Sequence, residues 1–130
     1  MELLICIAAA TVAWVVGMIW YMVLKDPFER AVGAPVNNRG YPFDKSPLPY
    51  LVAGTCLLVM AVMLRGLFLR YGIDSLVEGL GIGLGIGGLV GLPLVFMHNI
   101  PPRRSASLTL IDGGHAVLAC GTLGAILGAL

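Results

Sequence analysis

Charged residues are scarce in this sequence of 130 residues: Asp, Glu, Lys and Arg make up 12% of it, whereas hydrophobic residues make up 58%. Soluble domains contain about 25% charged and about 45–50% apolar residues. A soluble chain this short could not bury so much apolar surface, so a water-soluble protein is excluded. The eight basic residues nearly balance the seven acidic ones. No basic surface is left over for nucleic acid, which is therefore excluded as a partner.

Cysteine is also scarce, and its placement excludes two kinds of covalent or metal framework. Cys6, Cys56 and Cys120 are odd in number, lie inside apolar runs and form no C-x-x-C pair. A disulfide framework or a structural zinc site needs paired, closely spaced ligands. We expect the three thiols to act as small apolar packing residues.

What the sequence does contain is a set of long apolar runs. A helix needs about 20 residues to cross the roughly 30 Å hydrocarbon core of a membrane. Four runs of that length cover residues 3–24, 47–69, 76–97 and 107–130. The first run is longer than the apolar part of a signal peptide and follows Glu2 instead of a basic segment, so we expect it to be retained. The prediction is an all-α membrane protein, one domain over residues 1–130 with four transmembrane helices.

A short fifth helix is predicted over residues 27–33, directly after the first run. Asp26 is placed as its N-cap and Pro27 as its first residue, with an acidic residue completing a capping box. Phe28 and Val32 are four residues apart and share one face. This pattern is typical of an amphipathic helix that lies at the membrane interface.

Serine marks the start of each later run. Ser46 is expected to cap the second run, and Ser75 with Glu78 forms the S-x-x-E capping box of the third. The fourth run can be capped by Ser105 or by Ser107.

The basic residues predict the orientation, because loops rich in Lys and Arg stay in the cytoplasm. The first and third connections hold six of the eight: Lys25, Arg30, Arg39, Lys45, Arg103 and Arg104. The opposite side has only Arg65 and Arg70. These two connections are therefore placed in the cytoplasm and both termini outside. We expect Arg65 to extend to the outer surface, with Asp74 or Glu78 as alternative partners.

The third run repeats glycine at every fourth position, in the pattern called a glycine zipper: Gly79, Gly83, Gly87 and Gly91. In lipid, a row without side chains lets another helix backbone approach closely. The alternative is an apolar segment of low complexity with no packing role. The same spacing in the first and fourth runs selects Ala13, Gly17, Gly124 and Gly128. The second run has no such row and is expected to face lipid most, and Pro93 should kink the third.

Polar residues gather toward the predicted cytoplasmic side. Tyr21 and Asp112 lie at similar depth, so we expect Asp112 to accept a hydrogen bond from Tyr21 or Trp20, with His115 one turn away and His98 nearby. The alternatives are an Asp112 stabilised by the helix dipole and headgroup water, and aromatic residues that only anchor at the interface. Two histidines and a carboxylate are metal or haem ligands in principle, but no motif spacing supports them here, so no cofactor is expected.

Two stretches resemble the DUF1761 family of small bacterial membrane proteins. The first is Gly17-Met-Ile-Trp20-Tyr21, followed by Phe28. The second is Leu110-Ile-Asp112-Gly-Gly-His115, which leads to Gly121-Thr-Leu-Gly-Ala-Ile-Leu-Gly128. The chain departs from the family after Tyr21, where Met22-Val-Leu-Lys25 replaces a frequent Ser-Pro. The resemblance implies four spans in a bacterial cytoplasmic membrane and, because the family has no established function, it implies no activity.

The residues favour a binding or packing role over catalysis. Asp112 with His115 is the only acid–histidine pair, and spacing places no serine or cysteine beside it, so we expect no enzyme. The main prediction is a protein that associates with itself, or as an accessory subunit with other membrane proteins, through its small-residue rows. The alternative is a transporter or channel for a small solute, ion or proton that uses Asp112 and His115. Against it, the second half of the fourth run has only Cys120 and Thr122 as polar side chains.

Overall fold

The computed structural model describes residues 1–32, 47–99 and 105–130. Its helices are α1 (Glu2–Val23), α2 (Lys25–Val32), α3 (Leu48–Tyr71), α4 (Leu76–Ile86), a π-helical turn (Gly87–Gly91), α5 (Leu92–Asn99) and α6 (Ala106–Ala129). The π turn joins α4 and α5 into one continuous span, Leu76–Asn99. The predictions that fall outside the described residues concern the end of the short helix at residue 33 and the positions of Arg39, Lys45, Ser46, Arg103 and Arg104.

Within the described residues, four helices are long and apolar enough to cross a membrane: Glu2–Val23, Leu48–Tyr71, Leu76–Asn99 and Ala106–Ala129. The all-α membrane fold with four spans is therefore confirmed. Each boundary lies within two residues of its predicted position because an apolar run ends where charged, proline or glycine residues begin. We refer to these four helices as the first to fourth spans.

Serines cap the third and fourth spans as the side-chain chemistry predicts, whereas the N-cap of α3 is Pro47, one residue after the predicted Ser46. Ser75 Oγ accepts a hydrogen bond from the Glu78 backbone N–H at 3.2 Å. Ser105 Oγ accepts from the Leu108 N–H at 3.2 Å, so the earlier of the two candidate serines caps the fourth span. At the end of α3, Gly72 takes a φ of 68°, a left-handed conformation that favours glycine.

The short helix α2 begins two residues earlier than predicted. Only Leu24 separates it from α1: the Leu24 N–H bonds to Trp20 O at 3.0 Å, and the Phe28 N–H bonds to Leu24 O at 2.9 Å. Because the backbone bonds continue across this single residue, Asp26 lies inside the first turn and is not the N-cap. Phe28 is 8% exposed and packs against Leu108 of α6. The apolar face of α2 therefore lies on the bundle.

The fourth span is the centre of the bundle, and α1, α2, α3 and the third span all pack against it. It buries 44% of its apolar window, the first and second spans 28% each, and the third span only 11%. The prediction that the second span is the most exposed of the four is therefore wrong, because the third span has the smallest buried share. Among the described residues, the third span packs extensively only against α6, whereas the first and second spans each pack against α6 and against one another.

The distortion expected at Pro93 takes the form of the π turn that precedes it. The Leu92 N–H bonds to Gly87 O, five residues back instead of four. Proline has no N–H, and in a regular helix its ring collides with the carbonyl four residues earlier. The wider turn gives that carbonyl room.

Arg65 is buried, with 8% exposure, which corrects the prediction that it extends to the outer surface. Its Nε donates to Glu2 of α1 rather than to Asp74 or Glu78. Its Nη1 donates to Leu127 O at 2.8 Å, and its Nη2 to a second carbonyl at the end of α6 at 3.3 Å. The last carbonyls of a helix have no partner within it and attract a cation. Arg65 thus joins α1, α3 and α6.

Candidate functional site

The glycine row of the third span packs against the small residues of α6. A Cβ added to Gly79 would fall inside van der Waals contact with the backbone of Gly124, and would lie 2.9 Å from the Cα of Gly128. A Cβ added to Gly83 would collide in the same way with the backbone of Cys120. The row is therefore filled within the chain, because the α6 backbone takes the place of the missing side chains.

The contact loosens toward the end of the row. A Cβ on Gly87 would lie 2.6 Å from the Cα of Val117, which is still a collision. A Cβ on Gly91 would lie 3.4 Å from the Cβ of Ala116, which is ordinary contact. Gly91 is the last residue of the π turn, so the close approach ends where that turn widens the helix.

The small-residue face of α1 also meets α6. Ala13 is completely buried and belongs to the apolar core shared with α3 and α6. A Cβ on Gly17 would lie 2.6 Å from Nε2 of His115. Gly17 therefore makes room for the imidazole.

Tyr21 and Trp20 both donate hydrogen bonds to α6. The Tyr21 hydroxyl donates to Asp112 Oδ1 at 2.8 Å. Trp20 Nε1 donates to the backbone oxygen of Ile111 at 3.0 Å instead, and a Cβ on Gly114 would lie 2.7 Å from the indole ring. Of the two donors expected for Asp112, the tyrosine is the one observed, and the tryptophan lies on the backbone of the preceding residue.

His115 joins this cluster, but His98 does not complete it. The His115 and Tyr21 rings have centroids 5.1 Å apart, and the His115 side chain makes no hydrogen bond to the described residues. His98 is exposed on α5. Among the described residues, no group of three His, Cys, Asp or Glu is close enough to hold a metal ion. The arrangement is a hydrogen-bonded pair, Tyr21 with Asp112, beside a half-buried imidazole.

A cavity of about 410 Å³ lies next to this cluster, between α1, α3, the third span and α6. Its wall includes Met18, Met60, Leu94, Tyr21 and His115, and most of the lining is apolar. The volume falls in the range of about 300–1,000 Å³ typical of small-molecule sites. The cavity could not be predicted from the sequence, since its walls come from four spans whose relative rotation is not encoded in any one apolar run. Four residues that the sequence had singled out for other reasons do line it, namely Gly17, Tyr21, Gly91 and His115.

Comparison with known proteins identifies the family to which the chain belongs. No curated protein and no solved structure matches the chain. The family model described as protein of unknown function (DUF1761) matches residues 4–128. Since this match covers nearly the whole chain, the protein belongs to the DUF1761 family.

Proposed function

We propose that this protein is a non-catalytic membrane subunit that pairs with a second copy of itself through the outward face of its third span. The observation that supports it is a second glycine row on that span: Gly81, Gly85 and Gly88. Around a Cβ added to any of the three, no atom from another part of the described chain lies within 4 Å. These positions are four and three residues apart and share one face.

An open glycine row has a cost that a contact would offset. Each glycine costs up to about 1 kcal/mol of helix propensity relative to alanine. In lipid, a bare ridge is favourable when another helix packs along it. Gly79, Gly83 and Gly87 already meet α6, so we assign association to the outward row and not to the row that the repeat first suggested.

A second copy is the occupant that the chemistry of this face supports. No charged residue occurs between Gly79 and Met97, so the face carries no charge pattern that would select a different partner. Identical ridges can meet across a two-fold axis, the commonest symmetry of homo-oligomers. Association with other membrane proteins is the competing outcome.

The test replaces Gly81 and Gly85 together by leucine and measures the native mass in nanodiscs or mild detergent. We expect the wild type to be a dimer and the double variant to be a monomer with unchanged helix content. The matched control replaces Gly54 and Gly66 of α3 by leucine. A Cβ added at either position has no atom from another part of the described chain within 4 Å, so this variant should keep the native mass of the wild type. A monomeric wild type, or a double variant that stays dimeric, contradicts the proposal.

The transport alternative has less support, because the cavity beside Asp112 and His115 is mainly apolar. It predicts ion or proton flux in proteoliposomes that the Asp112→Asn variant loses. If proteoliposomes show no more flux than liposomes without protein, the transport alternative is excluded.

A further inference from the structure

The cavity between the four spans combines an apolar wall with the His115 imidazole, which has no hydrogen-bond partner among the described residues. We propose that it binds one neutral lipophilic molecule whose hydroxyl or carbonyl oxygen bonds to His115. The hydrocarbon part of this molecule lies against Met18, Met60 and Leu94. This site is separate from the outward glycine row of the third span.

The apolar wall supports a hydrocarbon ligand. Apolar cavities of this kind stay dry and accept apolar molecules. Methionine side chains are flexible and polarizable, so Met18 and Met60 can adapt to a chain of variable shape. A volume of about 410 Å³ has room for more than a single water and belongs to the ligand-sized class.

The cavity has an entrance that faces lipid. Among the described helices, α3 packs against α1 and α6, and the third span packs against α6, but α3 and the third span share no extended contact. The cavity wall along this gap includes Cys56 of α3, Val90 of the π turn and Leu94 of α5, all three exposed. A molecule dissolved in the bilayer can therefore enter sideways between the two spans.

His115 supports a polar head on that ligand. A neutral imidazole offers one N–H donor and one acceptor, and neither is used by the described residues. An unpaired polar group in apolar surroundings is unfavourable until a ligand satisfies it. Gly17 and the Tyr21 ring hold the imidazole in place at the cavity wall.

The charges around the cavity favour a neutral head over an anionic one. None of the described residues that line it is Lys or Arg. The nearest acidic side chain along α6 is Asp112, one turn before His115, and it would repel a carboxylate. A hydroxyl or carbonyl oxygen meets the imidazole without that penalty.

Native mass spectrometry of the purified protein tests this proposal with four probes. Dodecan-1-ol represents a hydroxyl lipid, decylubiquinone a quinone, laurate an anionic lipid and dodecane a chain without a head. We expect the protein to bind one molecule of the alcohol or of the quinone. If the alcohol binds more tightly, the ligand oxygen is a hydroxyl, and if the quinone does, it is a carbonyl. Laurate and dodecane should bind at least fivefold more weakly.

Variants locate the site. His115→Phe should weaken binding about fivefold, the effect of losing one hydrogen bond, whereas His115→Gln keeps a donor and an acceptor and should retain most of it. Ala53→Phe fills the cavity and should abolish binding. Its matched control is Ala8→Phe, at an exposed position of α1, which should bind like the wild type.

Thermal unfolding of the wild type gives a second measurement that needs no variant. A ligand that binds the folded state raises the unfolding temperature, so the alcohol or the quinone should raise it more than dodecane does. The proposal is overturned if no probe binds, if dodecane or laurate binds as tightly as the neutral oxygen compounds, or if His115→Phe binds like the wild type.

Discussion

Replacing Gly83 by alanine tests whether the inner glycine row packs within the chain. The added Cβ would collide with the backbone carbonyl of Cys120 on α6. Because the obstacle is backbone, no side-chain rotation relieves it, and α4 has to move away from α6. Overpacking costs about 1–3 kcal/mol. Because moving α4 away from α6 also weakens the contacts at Gly79 and Gly87, we expect a cost near the upper end of this range. Alanine recovers up to about 1 kcal/mol of helix propensity, so we expect a net loss of about 2 kcal/mol in the free energy of unfolding.

The matched control is Gly85→Ala, two residues further along the same helix. A Cβ there has no atom of another described segment within 4 Å, so the gain in propensity should leave stability equal or slightly higher. Unfolding in SDS, followed by circular dichroism at a dilution where the chain is monomeric, measures both variants. If Gly83→Ala matched the wild type in stability but lost a subunit in native mass, the inner row would be an intermolecular contact and our reasoning would be wrong.

Two further interactions between spans can be measured by the same unfolding assay. Arg65→Met keeps the apolar stem but removes the hydrogen bonds to the α6 carbonyls, so we expect a loss of about 2–3 kcal/mol. Glu2 is half exposed, so Glu2→Gln should cost less than Arg65→Met, and equal losses for the two variants would show that the ion pair dominates. Tyr21→Phe and Asp112→Leu, which removes the acceptor oxygen, should each cost roughly 0.6–1.7 kcal/mol, the range for hydrogen bonds between membrane helices. The double variant should cost little more than the larger single loss, and full additivity would mean that the two groups do not interact.

Several local features were predictable because each depends on residues close together in sequence. The Ser75 cap follows from the S-x-x-E pattern, since its hydrogen bond joins residues three apart. The Tyr21–Asp112 bond was predictable for a different reason. Both residues lie on small-residue faces, and the rise of 1.5 Å per residue places them at one depth in the membrane.

Other features depend on which helices become neighbours, and the sequence carries little sign of that. Arg65 was expected to reach water because a lone cation in an apolar run usually does. It is buried instead, because α6 ends beside it and offers unpaired carbonyls. Trp20 was an equal candidate to bond Asp112, but the rotation of α1 aims its indole at the oxygen of Ile111.

The sequence by itself determined the number of spans, their ends and the residues that share each helical face, because apolar length, capping side chains and the helical period are local properties of the chain. Only the tertiary structure decided what each face meets. Gly79, Gly83 and Gly87 contact α6 rather than another molecule, the third span is left most exposed, and His115 faces a cavity. These outcomes depend on the rotation and separation of four helices packed together, and small residues allow several such arrangements until backbone contacts select one.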